Sequence, residues 1–434
     1  MSAVVHQREG PLPLTLDAIK ARFAALERAP TLYSLSPARL RLLARRARLD
    51  FAASGTAICQ QGEPGDTMHL LLSGRCEMSI ATAPESSIVV ALLGPGELIG
   101  EEGAVLGEPH MASVRALEDT ELLSIDREAL EATLEPPSEE MAELQRLAHQ
   151  RRAATSLVAA WSESMGGSGE GRSLAVYSPK GGAGRTTVAL NLASQLARAQ
   201  SAQAVLVDLS LPFNEVALMS NLVPVNCLAR LTDVPPEQFD EWLMSAMLPH
   251  PAGFMILPGA IRAEHAELIT PELLQRTMDA LRRSFRFVIF DLAAQLGEVN
   301  LTVLERVDQI LVLATSELSS LKDVNEVRRI LRYVLRVPES KVMVALNHRA
   351  PGGVIDRAAV ELSVGHPLLC EFSFEGAKQD EAAMRGEILS VVEPEGPMAR
   401  ASSAIAVAMG AEAVAPVPAE SQQKRQGRKI FGLG

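Results

Sequence analysis

The stretch Ser178-Pro-Lys-Gly-Gly-Ala-Gly-Arg-Thr-Thr187 packs glycines, two cations and two adjacent hydroxyls into one short span. It follows a brief apolar run, Leu174 to Tyr177, and leads into the amphipathic TTVALNLASQLARA. A strand, a Gly-rich turn and a helix in that order can aim successive backbone N–H groups at phosphate oxygens, with the helix N-terminus adding partial positive charge. Gly181, Gly182 and Gly184 allow close approach and positive φ. Thr186 offers the hydroxyl that holds Mg²⁺ in such loops. Arg185 stands where a Lys is usual, keeping the charge but replacing a compact ammonium by a broad planar fork.

The elements around this loop must come from a chain of 434 residues, enough for two or three domains at roughly 150 residues each. Charged residues are 22% and hydrophobic ones 47%, an ordinary globular composition. Cys59, Cys76, Cys227 and Cys370 lie far apart without a CxxC pair, which argues against a zinc site and for a reducing compartment, with the thiols as small buried hydrophobes. The start MSAVVHQREGPLPL has no leader pattern, and no later run is long and apolar enough to span a bilayer, so a cytoplasmic protein is expected. A net charge of -12 argues against generic nucleic-acid affinity.

Residues 37 to 126 contain short, partly alternating runs such as MHLLLSGRCEMSI and SIVVALLG, separated by Gly-Pro and Gly-Asp turns, as in a small β-barrel or jelly roll. From 127 to 161, Leu130, Leu134, Met141, Leu144, Leu147 and Leu157 recur at helical spacing, interrupted at Pro136-Pro137. Met165 to Arg172 reads as a flexible linker. Beyond it, apolar runs (LAVYS, AVLVDLS, FVIFDLA, QILVLAT, KVMVALN) alternate with amphipathic stretches, and strands without alternation are buried on both faces of a parallel sheet. The expected fold is α/β: an N-terminal β-roll plus a doubly wound domain with a mostly parallel sheet. The expected boundaries are an extension 1–29, a β-roll with C-terminal helices 30–164, a linker 165–172, an α/β domain 173–410 and a flexible basic tail 411–434.

KGGAGRTT, Lys180 to Thr187, resembles the deviant Walker A loop of the MinD/ParA family of P-loop NTPases. That resemblance implies ATP/ADP and Mg²⁺ as cofactors, with Lys180, Gly181, Gly182, Ala183, Gly184, Arg185, Thr186 and Thr187 at the phosphates. It also implies a homodimer in which Lys180 acts in trans. VLVDLSLPFNEVAL, HAELITPELLQRTMDALRRSFRFVIFD and TSELSSLKDVNEVRRIL look most like the CpaE/TadZ branch, whose members position and assemble Tad-type pili and related secretion machines. In the family the second strand ends in Asp-x-Asp, and here it reads Asp208-Leu209-Ser210. A hydroxyl carries no charge at neutral pH and orients water weakly, so the water-placing carboxylate is missing at Ser210. Asp291, closing FVIFD, matches the Asp that holds Mg²⁺ through water. Asp208 is either Mg²⁺-linked or a strand-end residue. Asn347 matches the family's adenine-contacting Asn or caps a turn.

SLSPARLRLLARRARLDFAASGTAICQQGEPGDTMHLLLSGRCEMSI resembles the start of a cyclic-nucleotide-binding domain, with Gly55, Gly62, Gly65 and Gly74 at turns. LLGPGELIGEEGAVLGEPHMASVRA resembles its phosphate-binding cassette. The resemblance places the pocket at Gly100, Glu101, His110 and Ser113, with Glu101 on the ribose and backbone N–H groups from Gly100 to Gly107. His110 falls where the family has the phosphate-pairing Arg, and a neutral His forfeits most of that charge-assisted bond. The expectation is a degenerate pocket serving interaction or dimerisation, not a cyclic mononucleotide bound in the usual way.

Arg328, Arg332 and Arg336 recur every four residues in DVNEVRRILRYVLR, a stripe that suits a solvated face or non-specific DNA. Lys424, Arg425, Arg428 and Lys429 precede Ile430, Phe431 and Leu433, a pattern suited to membrane contact, partner docking or a passive tail. The expected function is a nucleotide-binding localisation or assembly factor for a Tad-type pilus or secretion apparatus. Its hydrolysis would be weak or absent, its partner a component such as the motor ATPase, and its recruitment to the inner membrane or cell pole. The alternative is an active ParA/MinD-like ATPase positioning cargo on DNA or membrane under cyclic-nucleotide control.

Overall fold

The computed structural model describes residues 6–7, 15–32, 34–83, 86–164, 171–199, 204–224, 226–232, 234–351 and 356–412. The linker residues 165–170 and the tail from 413 onward, with its cations and its three large apolar residues, lie outside the described residues, as does the side chain of Leu157. The chain divides into two compact units, Met1–Gly166 with Leu222–Pro249, and Gly167–Asn221 with His250–Gly434. Leu222–Pro249, which a linear boundary at 173–410 includes, clusters with the N-terminal unit. Nothing in its local sequence marks the excursion, because the segment is apolar in the manner of any core.

In the first unit one antiparallel sheet runs in the order His6–Gln7, Arg48–Ala52, Thr120–Asp126, Thr67–Ser73, Leu98–Ile99. The other runs Ala57–Cys59, Ser113–Ala116, Cys76–Ala83, Ser86–Leu93. Arg48–Ala52 and Ser113–Ala116 alternate buried and more exposed positions, whereas Thr120–Asp126 is buried almost throughout. One apolar cluster joins Met68, Leu70 and Leu123 to the helices through Leu26, Leu43, Leu130 and Leu144. A second holds Cys59, Leu71, Cys76, Leu93 and Val114 between the sheets. The helical stretch after 126 is two helices, Arg127–Leu134, capped by the Asp126 carboxylate on the Ala129 N–H, and Glu139–Ser164. They part at Glu135, whose φ is +53°, just before Pro136-Pro137. All four cysteines are free and buried, and burial pushes Cys59 and Cys370 up to about 12 and Cys76 to about 11.

The second unit carries strands β1 (Arg172–Tyr177), β2 (Ala204–Leu209), β3 (Met255–Pro258), β4 (Phe287–Leu292), β5 (Gln309–Thr315), β6 (Val342–Asn347) and β7 (Leu368–Phe372). Their order is β3-β2-β4-β1-β5-β6-β7, and every pairing among these seven is parallel. The non-alternating strands are buried throughout β1's apolar residues, β2 and β4, as expected for a sheet covered on both faces. Strand order reverses beside β1, so the carboxyl ends of β1, β2 and β4 open onto one crevice, the usual place for a ligand in a doubly wound sheet. No described helix is long and apolar enough to cross a membrane.

Candidate functional site

The turn after β1 is shaped by Gly182 and Gly184, whose φ values are +70° and +87°. A Cβ on Gly184 would also sit 2.4 Å from Asn347 Nδ2, so both backbone conformation and close approach require glycine there. Gly184 opens the helix Arg185–Arg198, which buries nearly its whole length from Thr186 to Leu196. That burial fixes the helix N-terminus against the strand ends, where an anion would meet it.

Thr186 Oγ1 donates to Asp291 Oδ2 at 2.6 Å, while Asp291 Oδ1 is buried with no hydrogen-bond partner among the described residues. Asp291 is fully buried, and burial, followed by the charge of Asp208 beside it on β2, pushes its carboxyl up to about 8 against the lowering bond from Thr186. An unpaired carboxylate oxygen beside a hydroxyl is a hard-oxygen set that suits Mg²⁺, which is held by few protein ligands and retains water. The residues present therefore fit the ion at Thr186 and Asp291.

On β2, Asp208 lies beside Asp291 with both oxygens hydrogen-bonded. Its Oδ1 accepts from the backbone N–H and the hydroxyl of Ser210, and its Oδ2 accepts from the Val216 N–H at 2.9 Å. Both oxygens hold the turn that follows β2, and burial raises its pKa. Ser210 faces back onto Asp208, so its hydroxyl is committed within this turn.

The two cations of the loop are likewise engaged. Arg185 Nη1 donates to the carbonyls of Ser178 at 2.9 Å and Lys180 at 2.8 Å, while its Nε is buried without a partner. Arg185, expected at the phosphates, thus places one of its in-plane donors, Nη1, on the loop's own backbone. Lys180 Nζ meets Ser319 Oγ at 2.8 Å and Glu317 Oε2 at 3.0 Å and so rests within its own chain. Asn347 Nδ2 donates to the Ala183 carbonyl at 2.8 Å, bracing the loop from β6.

Two groups absent from the sequence reading hold the segment after Asp291. Tyr177 Oη donates to the Ala294 carbonyl at 2.8 Å, and Asn300 Nδ2 donates to the carbonyls of Ala293 and Gln295. Asn300 sits in the first helical turn after Gly297, a position that sequence alone reads as an ordinary helix start. The basic stripe is broken: Arg328 is paired with Glu339 and the Val364 carbonyl, Arg332 lies 4.0 Å from Glu339, and Arg336, with φ +55°, falls past the helix end.

In the first unit each residue of the expected cyclic-nucleotide pocket has contacts within the fold. Gly103, Ala104 and Gly107 spend their N–H groups inside the segment itself, on the Gly100 and Gly103 carbonyls, so the cassette does not present them outward. His110 is buried against Gly65 and Gly100, with Nδ1 3.6 Å from Glu102 Oε1. Ser113 Oγ accepts from the Gln61 N–H at 3.0 Å, and Gly100, at φ +74°, makes a turn. Glu101 alone of the four lines a cavity, and there Arg151 Nη1 meets its Oε1 at 2.6 Å. Burial pushes Glu101 up to about 7 despite Arg151.

Residues 50–136 match the cyclic nucleotide-binding domain family and residues 171–343 match an AAA domain family. The chain is similar to an uncharacterised ATP-binding protein of Methanocaldococcus jannaschii, 29% identical over 151 residues, which are 35% of this chain and 55% of that protein. It is also similar to a cyclic nucleotide-gated potassium channel of Mesorhizobium japonicum, 35% identical over 96 residues, 22% of this chain and 25% of the channel. The chain thus spans about half of the first relative and a quarter of the second. Among solved structures, a ParA family ATPase from Chlorobium tepidum is 22% identical with a TM-score of 0.49, covering 54% of this chain and 98% of that one. The chain therefore combines a β module that matches the cyclic nucleotide-binding domain family with an α/β domain that matches an AAA domain family.

Proposed function

We propose that the chain is a nucleotide-dependent localisation or assembly factor of the CpaE/TadZ kind, serving a Tad-type pilus or related secretion apparatus, that binds ATP with Mg²⁺ and hydrolyses it slowly or not at all. One observation carries the chemical half of this reading. Thr186 and the free Oδ1 of Asp291 stand ready for a cation, while Asp208 and Ser210 are locked to one another in the adjacent turn. What supports slow hydrolysis is that Asp208, the carboxylate beside Asp291, is held by Ser210 and Val216 instead of being free to orient an attacking water. When bound, Mg²⁺ would neutralise phosphate charge; Thr186 and Asp291 would hold it and the loop backbone after β1 would hold the phosphates.

The biological half rests on VLVDLSLPFNEVAL and TSELSSLKDVNEVRRIL, which look like the CpaE/TadZ branch. On this reading the protein acts as a homodimer, meets a machine component such as its motor ATPase, and is recruited to the inner membrane or cell pole. Equilibrium binding of a fluorescent ATP analogue with and without Mg²⁺, beside a phosphate-release assay, tests the chemistry. Mg²⁺-strengthened binding with negligible release is expected. Turnover on the scale of active P-loop ATPases, abolished by Asp291→Ala, overturns it.

A further inference from the structure

The segment that follows Asp291 has no glycine before Gly297, and its carbonyls at Ala293, Ala294 and Gln295 all accept from side chains of the sheet and the next helix. Tyr177 Oη, from β1, reaches Ala294 at 2.8 Å. Asn300 Nδ2 reaches Ala293 at 2.7 Å and Gln295 at 2.6 Å, one amide hydrogen for each carbonyl. Tyr177 is 1% exposed and Asn300 3%. Burial pushes the Tyr177 phenol up to about 12, so its hydroxyl keeps the proton it donates. The Ala293 N–H donates in turn to the Leu209 carbonyl at 3.1 Å, which ties the segment to the turn that Asp208 holds through Ser210 and Val216.

Helix capping does not account for these bonds. A helix start needs acceptors for its free N–H groups, whereas Asn300, in the first turn of Glu298–Arg306, donates backward to carbonyls that precede the helix. In P-loop proteins that report the γ-phosphate, the segments beside the Mg²⁺ site order around that phosphate and relax when it is gone. Such a movement here breaks three hydrogen bonds together and leaves a buried phenol and a buried amide without acceptors. A backbone without glycine also has fewer conformations to swing through. A ligand shifts an equilibrium of this kind only by its differential affinity for the two arrangements.

We propose that Tyr177 and Asn300 are positioning residues that clamp Ala293–Gln295, so that the P-loop site takes a nucleoside diphosphate and a nucleoside triphosphate with like affinity. Both act through the segment and not on the nucleotide. This rests on the nucleotide-binding reading above and adds what the site reports, which is whether it is filled and not whether a γ-phosphate is present. A site of that kind has no use for fast hydrolysis, because loss of the γ-phosphate changes nothing that a partner could read. The tie between Ala293 and Leu209 extends the same rigidity to the turn after β2, the other segment beside Asp291.

The test is equilibrium titration of the full chain in Mg²⁺ with ADP and with a non-hydrolysable ATP analogue, beside hydrogen exchange of residues 292–299 in each complex. Wild type is expected to bind the two within about threefold of each other, with the same protection of that segment in both complexes. Tyr177→Phe combined with Asn300→Leu keeps the outline of both side chains and removes the three donor hydrogens. The double variant is expected to prefer the triphosphate by about tenfold or more. A purely structural effect lowers both affinities together and leaves their ratio near one, an outcome that overturns the proposal. A wild-type preference for the triphosphate of about tenfold or more overturns it too, as does protection that differs between the two wild-type complexes, and neither readout needs a variant. Absence of binding of either nucleotide overturns the nucleotide-binding reading and the clamp with it, whereas a wild-type triphosphate preference overturns the clamp and leaves that reading standing.

Discussion

Arg230→Ala should destabilise the first unit, because it strands a buried charge. Glu97 is 7% exposed, its Oε2 accepts from the Gly94 N–H and from Arg230 at 2.6 Å, and its Oε1 has no partner. Breaking a buried ion pair from one side costs about 3–5 kcal/mol, since the remaining charge keeps its desolvation penalty. The Arg230 side chain is 23% exposed, so water offsets part of that and the lower end, ~3 kcal/mol, applies. For a unit of this size that is a fall of roughly 6–12 °C in Tm. The sign with pH follows from the carboxyl. Burial raises the folded pKa of Glu97 and Arg230 opposes the rise. A carboxyl with a raised folded pKa costs stability above its unfolded pKa and regains it as pH falls, so the Arg230→Ala deficit should be largest near pH 8 and shrink toward about pH 5. Glu97→Gln in the same chain should recover most of the loss. Thermal denaturation of the four proteins of this cycle, followed by the buried Trp242, measures all of it. A loss below ~1 kcal/mol, a deficit that grows on acidification, or no rescue by Glu97→Gln would refute the assignment of a seated Leu222–Pro249 segment.

Three further outcomes are expected at the P-loop. Asp291→Ala should remove the Mg²⁺ dependence of ATP-analogue binding and weaken it by about 10- to 100-fold in the presence of the ion, read by fluorescence titration. Gly184→Ala forces a left-handed residue at a cost of about 1–2 kcal/mol before the contact with Asn347 is counted, so nucleotide affinity should drop by about tenfold or more with little change in secondary structure by circular dichroism. Ser210→Asp combined with Arg185→Lys should raise phosphate release above wild type, whereas either change alone should do less; no rise in the double variant would mean that the turn after β2 cannot admit a water-orienting carboxylate.

The layered α/β fold, the β module and the phosphate loop are legible in the sequence because each rests on local order. Apolar runs without alternation specify strands covered on both faces, Gly-rich punctuation specifies the turns, and strand, loop and helix follow one another without a gap. Thr186 and Asp291 come together because parallel strands β1 and β4 are neighbours, and a strand-end Asp following FVIF predicts that much. The direction of a long side chain is another matter. Arg185, Lys180 and Asp208 stand at the expected positions, yet Arg185 Nη1 bonds to the Ser178 carbonyl, Lys180 pairs with Glu317 and the buried Asp208 accepts from Ser210, partners that the sequence pattern does not announce. The excursion of Leu222–Pro249 into the N-terminal unit was not legible at all, because its evidence is a long-range pair, Glu97 with Arg230, 133 positions apart in the chain. Arg151 left a faint signal. It continues the buried row of Leu144, Leu147 and Ala148 at helical spacing, and a cation on an apolar face must find a partner or a ligand. At this position the structure supplies one partner, Glu101, and a cavity beside it.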